Sequence, residues 1–204
     1  MVKIHIKSLL TEIKKLLYGN EIGYYILALV FVCWEEIYLL SLKILDVKSF
    51  MGSLLIQKVF DSFLLSEAEI TTYAHFSIEG RMNMKFYTEE EKEELKLEQY
   101  AKWSEIKPYV FSIIKGNKLP AFIKIIMLLS SENTERVLKQ SGASLTPGDI
   151  NGLYLNIRYE KDILLITTGT SISTFTLDKT LDNYWDESIR KFLKKENIAA
   201  EDYS

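Results

Sequence analysis

The chain has 204 residues, of which 28 are acidic and 25 basic, giving a formal net charge of −3; 48% are apolar and 26% charged. That composition and length fit one globular domain and exclude a disordered, collagenous or coiled-coil chain. The slight acidity argues against a dedicated nucleic-acid binder, one cysteine excludes an internal disulfide framework, and two histidines leave little for zinc.

The first forty residues stand apart. Lys3, Lys7, Lys14 and Lys15 precede an uncharged apolar run at 22–34, which Glu35 and Glu36 separate from a second run at 37–42. Three readings compete. A membrane anchor through 22–42 needs about 20 apolar residues and must carry both glutamates, so its insertion energy sits near zero. A helix packed on the domain suits a run this short, and Leu9, Ile13, Leu16 and Leu17 recur at helical spacing. The third reading is that 1–38 is not translated. Trp34-Glu35-Glu36 requires a purine-rich TGG-GAR-GAR, which resembles a ribosome-binding site, and Leu39 or Leu40 then reads as a TTG start. Lysine and glutamate cancel within 1–38, so the domain from about residue 41 keeps its charge of −3 but loses Cys33 and His5.

Asp46 is placed to cap a helix carrying Val47, Phe50, Met51, Leu54 and Leu55. Residues 63–78 then alternate. Leu64, Ala68, Ile70, Thr72, Ala74, Phe76 and Ile78 share one parity, and Glu67, Glu69, Thr71, Tyr73, His75, Ser77 and Glu79 the other. This predicts a strand with one wet face, long enough to need a bulge or bend, and closed by a turn at Glu79-Gly80.

Thr88 caps a charged helix, TEEEKEELKLEQY, whose leading glutamates suit the helix dipole. Pro108 predicts a break, followed by a hairpin of 109–115 and 118–129 about Gly116-Asn117. Ser130 or Ser131 opens a helix through Leu138, and SGASLTPGDING is a loop. Leu153, Leu155, Ile157 and Tyr159 mark a strand that turns at 160–162 and returns over 163–168. A further strand is expected near 171–177. Asp182 is the expected cap of a last helix with Trp185, Ile189, Phe192 and Leu193 on its apolar face. Hairpins separated by short polar helices predict an α+β domain, an antiparallel sheet with helices on one face.

The stretches LKILDVKSFM, FDSFLLSEAEITTY with FSIEGR, IKGNKLPAFIKI, and NGLYLNIRYE with TTGTSISTFTLDK together resemble a family of uncharacterised bacterial proteins from clostridial-type Firmicutes, over roughly 42–192. The resemblance implies a cytoplasmic bacterial domain of unknown function and carries no chemistry.

The polar parity of the 63–78 segment holds the most site-like residues. Glu67 and Glu69, about 7 Å apart along a strand, are the candidate catalytic and metal-binding pair, with Arg158 and Glu160 as possible neighbours. The alternative for these residues is a solvated face of charge pairs. His75 is a candidate general base without a specified acidic orienter. Residues 167–171 (TTGTS) suggest either a phosphate-binding turn or a glycine bend. Lys102, Lys107, Lys115, Lys118 and Lys124, with Trp103 and Tyr109, suggest a basic rim around the expected hairpin. No zinc spacing, Rossmann, Walker, nucleophile-elbow or EF-hand pattern occurs, so no cofactor is expected. The reading is a cytoplasmic binding or interaction module of unknown ligand and unknown partner, with another protein or a second copy of itself as the options. The alternatives are an enzyme using the sheet-face carboxylates with a divalent metal, and a domain tethered to a membrane through 22–42.

Overall fold

Asp46 does two jobs in three residues, ending strand β1 (Ser41–Ile44) and capping helix α1 (Val47–Leu55) by accepting the Ser49 N–H at 2.9 Å. This computed structural model describes residues 40–95, 97–116, 118–173 and 176–203. The anchor reading through 22–42 and the packed-helix reading therefore fall almost wholly on residues 1–39, outside the described residues, while residues 41 and 42 at the end of the anchor run belong to β1. Strands β2 (Phe63–Thr71) and β3 (His75–Glu79) follow, then α2 (Glu89–Leu95), α3 (Trp103–Ile114), β4 (Phe122–Leu129) and α4 (Ser131–Ser141). The chain finishes with β5 (Ile150–Glu160), β6 (Ile163–Ile172), α5 (Thr180–Lys195) and β7 (Ala200–Asp202).

All seven strands pair antiparallel in one sheet, in the order β3-β2-β4-β5-β6-β1-β7. One face is dry. Phe63, Leu65, Ala68, Ile70, Ile125, Met127, Leu155, Ile157, Leu164 and Ile166 are buried there under α1, α3 and α5. Trp103 of α3 is fully buried and donates its indole N–H to the Leu54 carbonyl of α1 at 2.9 Å. Trp185 of α5 donates to the Tyr154 carbonyl at 2.9 Å. Each indole thus buries a large apolar surface without stranding its polar atom. This is the expected α+β domain with helices on one face of an antiparallel sheet.

Several local expectations change. Residues 63–78 form two strands, because the Thr72 N–H bonds back to the Ala74 carbonyl at 2.9 Å and folds the segment into a β2–β3 hairpin. A bulge at Ser66 shifts the register between Leu65 and Glu67, so Leu65 and Ala68 face the same core despite their odd spacing. The expected hairpin over 109–129 is instead helix α3 followed by β4. Pro108 lies inside α3, where it removes one helical N–H, but Trp103, Lys107 and Val110 form a buried face that holds the helix. The strand expected near 171–177 is the end of β6, which runs unbroken through Gly169 to Ile172. Residues 174 and 175 lie outside the described residues. Lys179, not Asp182, occupies the cap position of α5, and Asp182 sits in its first turn.

Glu79-Gly80 is not a turn but a junction. β2 and β3 part at the Ser66 bulge, and residues 99–102 wedge between them. The Gly80 N–H donates to the Ser66 carbonyl at 2.9 Å, the Ala101 N–H to the Gly80 carbonyl at 2.8 Å, and the Leu65 N–H to the Ala101 carbonyl at 2.8 Å. A Cβ on Gly80 would lie 1.8 Å from the Leu65 carbonyl oxygen. Gly80→Ala is therefore expected to destabilise the fold by about 3 kcal/mol, the upper range for forced backbone displacement. Gly52→Ala, whose Cβ meets nothing within 4 Å inside α1, is expected to stabilise by about 0.5–1 kcal/mol. Urea unfolding of the two variants beside the wild type checks both signs.

Candidate functional site

The open sheet face carries the polar parity. Strand register aligns Ser77, Glu69, Lys124, Arg158, Leu165, Lys43 and Glu201 in one row across the sheet. Glu67 and Glu69 share this face, as the alternation implies, and both close on Lys124 Nζ, at 2.5 and 2.9 Å. The ammonium occupies the space between the two carboxylates that a shared divalent ion would need. A side-chain hydrogen bond with Glu67, then one from Lys124, holds Glu69 below the ordinary glutamate range. The bonds to Glu67 and Glu69 raise Lys124 in turn. Arg158 bonds Glu160 at 2.7 Å and lies 4.8 Å over the Phe122 ring, so it and Glu160 sit one strand beyond the cluster. His75 is exposed on the edge strand, its Nδ1 3.1 Å from the Thr71 hydroxyl across the hairpin. Among the described residues no group of three or more His, Cys, Asp and Glu is arranged to hold a metal ion.

The other two sequence candidates dissolve. TTGTS is ordinary strand, not a phosphate turn. The Thr168 and Thr170 hydroxyls donate to Asp186 and Asp182 of α5, which ties that helix to β6. The basic cluster breaks up because its hairpin does not exist, and of its lysines Lys115 and Lys118 remain exposed together, at the α3–β4 connection. Lys107 is buried and bonds Asp61 at 2.5 Å and the Gln57 carbonyl at 2.7 Å, Lys124 belongs to the glutamates, and Trp103 is in the core.

The cleft that sequence reading missed lies at the wedge. A cavity of about 140 Å³ is floored by Leu64, Leu128 and Leu138, with residues 98–100 on one side, α4 on another, and residues 147–152 closing it. Glu98 accepts from the Ser131 N–H at 3.0 Å and hydroxyl at 2.8 Å, fixing residues 98–100, a strap across the cleft, to the first turn of α4. Thr134, Glu135 and Leu138 point to the cleft from successive turns. Gly152 is part of its wall, and a Cβ there would meet the Tyr154 ring at 2.9 Å. Burial first, and Tyr100 second, raise the Tyr154 phenol above its ordinary value. Glu98 and Glu135 are the charged lining residues, and among the described residues no lysine, arginine or histidine joins them. The sequence signal was the i, i+3, i+4, i+7 spacing of residues 131, 134, 135 and 138, one helical face that mixes polar groups with a buried leucine.

A family model matches residues 53–201, which takes in every cleft-lining residue and strands β2 to β6. The chain belongs to DUF5721, a family of unknown function. No curated protein and no solved structure matches it. The matched span of this DUF5721 chain begins within α1, so the wedge, the cleft and the Glu67–Lys124–Glu69 cluster all fall inside it.

Two carboxylates of this DUF5721 domain respond oppositely to pH. Glu69 is held below its ordinary value, so its contribution to stability is present above the unfolded glutamate pKa and is lost as pH falls through the folded one. Burial raises Asp186, so its ionisation costs stability as pH rises from the unfolded aspartate value through the folded one. Glu69→Gln is expected to lower stability at neutral pH by less than about 1 kcal/mol, given its half-exposed pair. Asp186→Asn, which keeps an acceptor for Thr168, is expected to raise it. Thermal melts between pH 3 and 8 should show both differences vanishing at the acid end.

Proposed function

We propose that this domain is a binding module for a small, cationic or donor-rich molecule, seated in the cleft between the 98–100 strap and α4. The observation that carries the reading is the lining itself. Leucines make the floor, and Gln99, Tyr100, Thr134, Glu135 and Asn151 supply polar groups around it, without a basic side chain among the described lining residues. Concave sites that combine an apolar floor with a few polar groups are where small ligands bind. A primary amine or guanidinium fits because its charge meets Glu135 and Glu98 and its short alkyl part meets Leu64 and Leu128. Glu98 is already fixed by Ser131, so the wall is organised before a ligand arrives, which lowers the entropic cost of binding.

The single cysteine and the resemblance to clostridial-type bacterial proteins support a bacterial cytoplasm as the setting. Among the described residues no helix is long and apolar enough to cross a membrane. The competing reading, an enzyme that uses Glu67 and Glu69 with a divalent metal, requires Lys124 to leave both carboxylates.

The test is a thermal-shift series on the full chain with ethanolamine, agmatine, arginine, putrescine, Mg²⁺ and Mn²⁺. A ligand at ten times its Kd stabilises by about 1.4 kcal/mol, a Tm rise of about 3–5 °C at this size. We expect one or more amines to give that rise, and Glu135→Lys, an exposed substitution, to abolish it at unchanged basal Tm. A rise from a divalent metal that disappears in Glu67→Gln/Glu69→Gln, with every amine inert, overturns the reading in favour of the enzyme.

A further inference from the structure

The opposite end of the sheet brings together three of the exposed large apolar side chains, Leu45, Tyr73 and Leu119. The register places His75, Thr71, Phe122, Glu160 and Ile163 on one transverse row. Five such positions span about 19 Å at the usual strand spacing. Just beyond that row come the β2–β3 turn with Tyr73, the α3–β4 connection with Leu119, and the β5–β6 turn with Lys161. Lys43 pairs with Leu165, so β1 also leaves the sheet at this end and carries Leu45 to it. Tyr73 is 92% exposed, Leu119 78% and Leu45 56%. The Tyr73 ring rests edge-on against Phe76 at 5.8 Å, which holds it projecting from the tip.

Charge at this end runs against the net charge of the chain. Lys48, Lys115, Lys118 and Lys161 are exposed, and among the described residues none of the four is in an ion pair. The carboxylates nearby are engaged locally. Asp46 caps α1, Glu160 holds Arg158, and Asp162 accepts from the Tyr159 hydroxyl at 2.9 Å. Asp162 and Lys161 take positive φ angles of 61° and 52°, which makes a tight two-residue turn and keeps the lysine at its apex.

We propose that this rim docks on an anionic membrane surface, with Leu45, Tyr73 and Leu119 entering the headgroup region and the four lysines meeting lipid phosphates and carboxylates. Apolar tips ringed by lysines are the pattern that gives interfacial rather than spanning attachment. The aliphatic character of Leu45 and Leu119 favours lipid over nucleic acid, because single-stranded nucleic acid is gripped by aromatic platforms and, among the described residues, Tyr73 is the one aromatic ring almost fully exposed at the rim. A bacterial cytoplasm offers such a surface on its inner leaflet. The proposal is independent of the cleft, which lies at the other end of β2 and β4.

The experiment is co-sedimentation of the full chain with phosphatidylcholine vesicles, alone and with roughly 30% phosphatidylserine, at low salt, where each lysine near an anionic surface is worth about a fivefold change in partition. We expect binding to the anionic vesicles, a loss of about 25-fold or more in Lys118→Glu/Lys161→Glu, and a loss of several-fold in Tyr73→Ser/Leu119→Ser. Raising the salt to about 0.5 M should weaken wild-type binding strongly, since the contacts lie at the surface. Every variant keeps residues 22–34, so a contribution of that apolar run to adsorption is common to all. Equal binding to both vesicle types, or anionic binding that the lysine variant leaves intact, overturns the proposal. So does saturable binding of poly(U) lost in the same variant without vesicle binding, which would assign the rim to RNA.

Discussion

The close passage of Gly80 beside the Leu65 carbonyl is the constraint on which the rest of this architecture hangs. It lets β3 run on past the point where β2 bulges, and it leaves a gap that residues 99–102 fill. Three backbone hydrogen bonds, at 2.8–2.9 Å, lock the three segments together. The bulge decides which residues enter the core, since it turns Leu65 and Ala68 to the same side and sends Glu67 and Glu69 outward. The wedge decides where the cleft is, since it carries Glu98, Gln99 and Tyr100 over Leu64 and toward α4. The bulge thus sets the polar face and the wedge the cavity, and Gly80 is the residue whose lack of a side chain lets the two meet.

The sheet then divides its labour by face and by end. Its dry face is a packed core in which each buried tryptophan donates to a backbone carbonyl and α5 is tied down by threonine–aspartate bonds. Its open face is a lattice of paired charges in which Lys124 neutralises two glutamates and Arg158 stacks on Phe122. Such pairs contribute modestly to stability at the surface. They make the face self-complementary and leave little charge for a ligand. What remains unspent lies at the two ends, the acidic cleft beside the wedge and the basic, apolar rim of loop tips.

Much of this was legible in the residues. Asp46, Thr88 and Ser130 announce helices because a short oxygen side chain before a periodic run has one effective use, accepting orphan N–H groups. β5 and its return were plain because Leu153 to Tyr159 alternate without interruption. The failures have specific causes. Pro108 reads as a breaker when taken alone, and only the 103, 107, 110 spacing, completed by partners on α1 and in the 56–61 loop, shows that packing outweighs it. Gly80 reads as a turn because a glycine needed for close approach looks the same in sequence as one needed for a bend. Glu67 and Glu69 were correctly placed together on a wet face, but the ammonium between them comes from β4, 55 residues and more away. The cleft was invisible for the same reason, being assembled from four separated segments. Asp182 and Asp186 could have been flagged, since they flank Trp185 on the buried side of α5.

In this architecture the wedge is part of the stable core, and the cleft wall is therefore built before anything binds. Amide hydrogen exchange of the full chain, resolved by residue, tests this most directly. The N–H groups of Leu65, Gly80 and Ala101 are expected to exchange only through global unfolding, with protection equal to that of β4 and β5, while the exposed helix α2 exchanges orders of magnitude faster. Protection at Ala101 and Gly80 as low as that of α2 would contradict it, because the strap and the cleft it walls would then open and close independently of the fold.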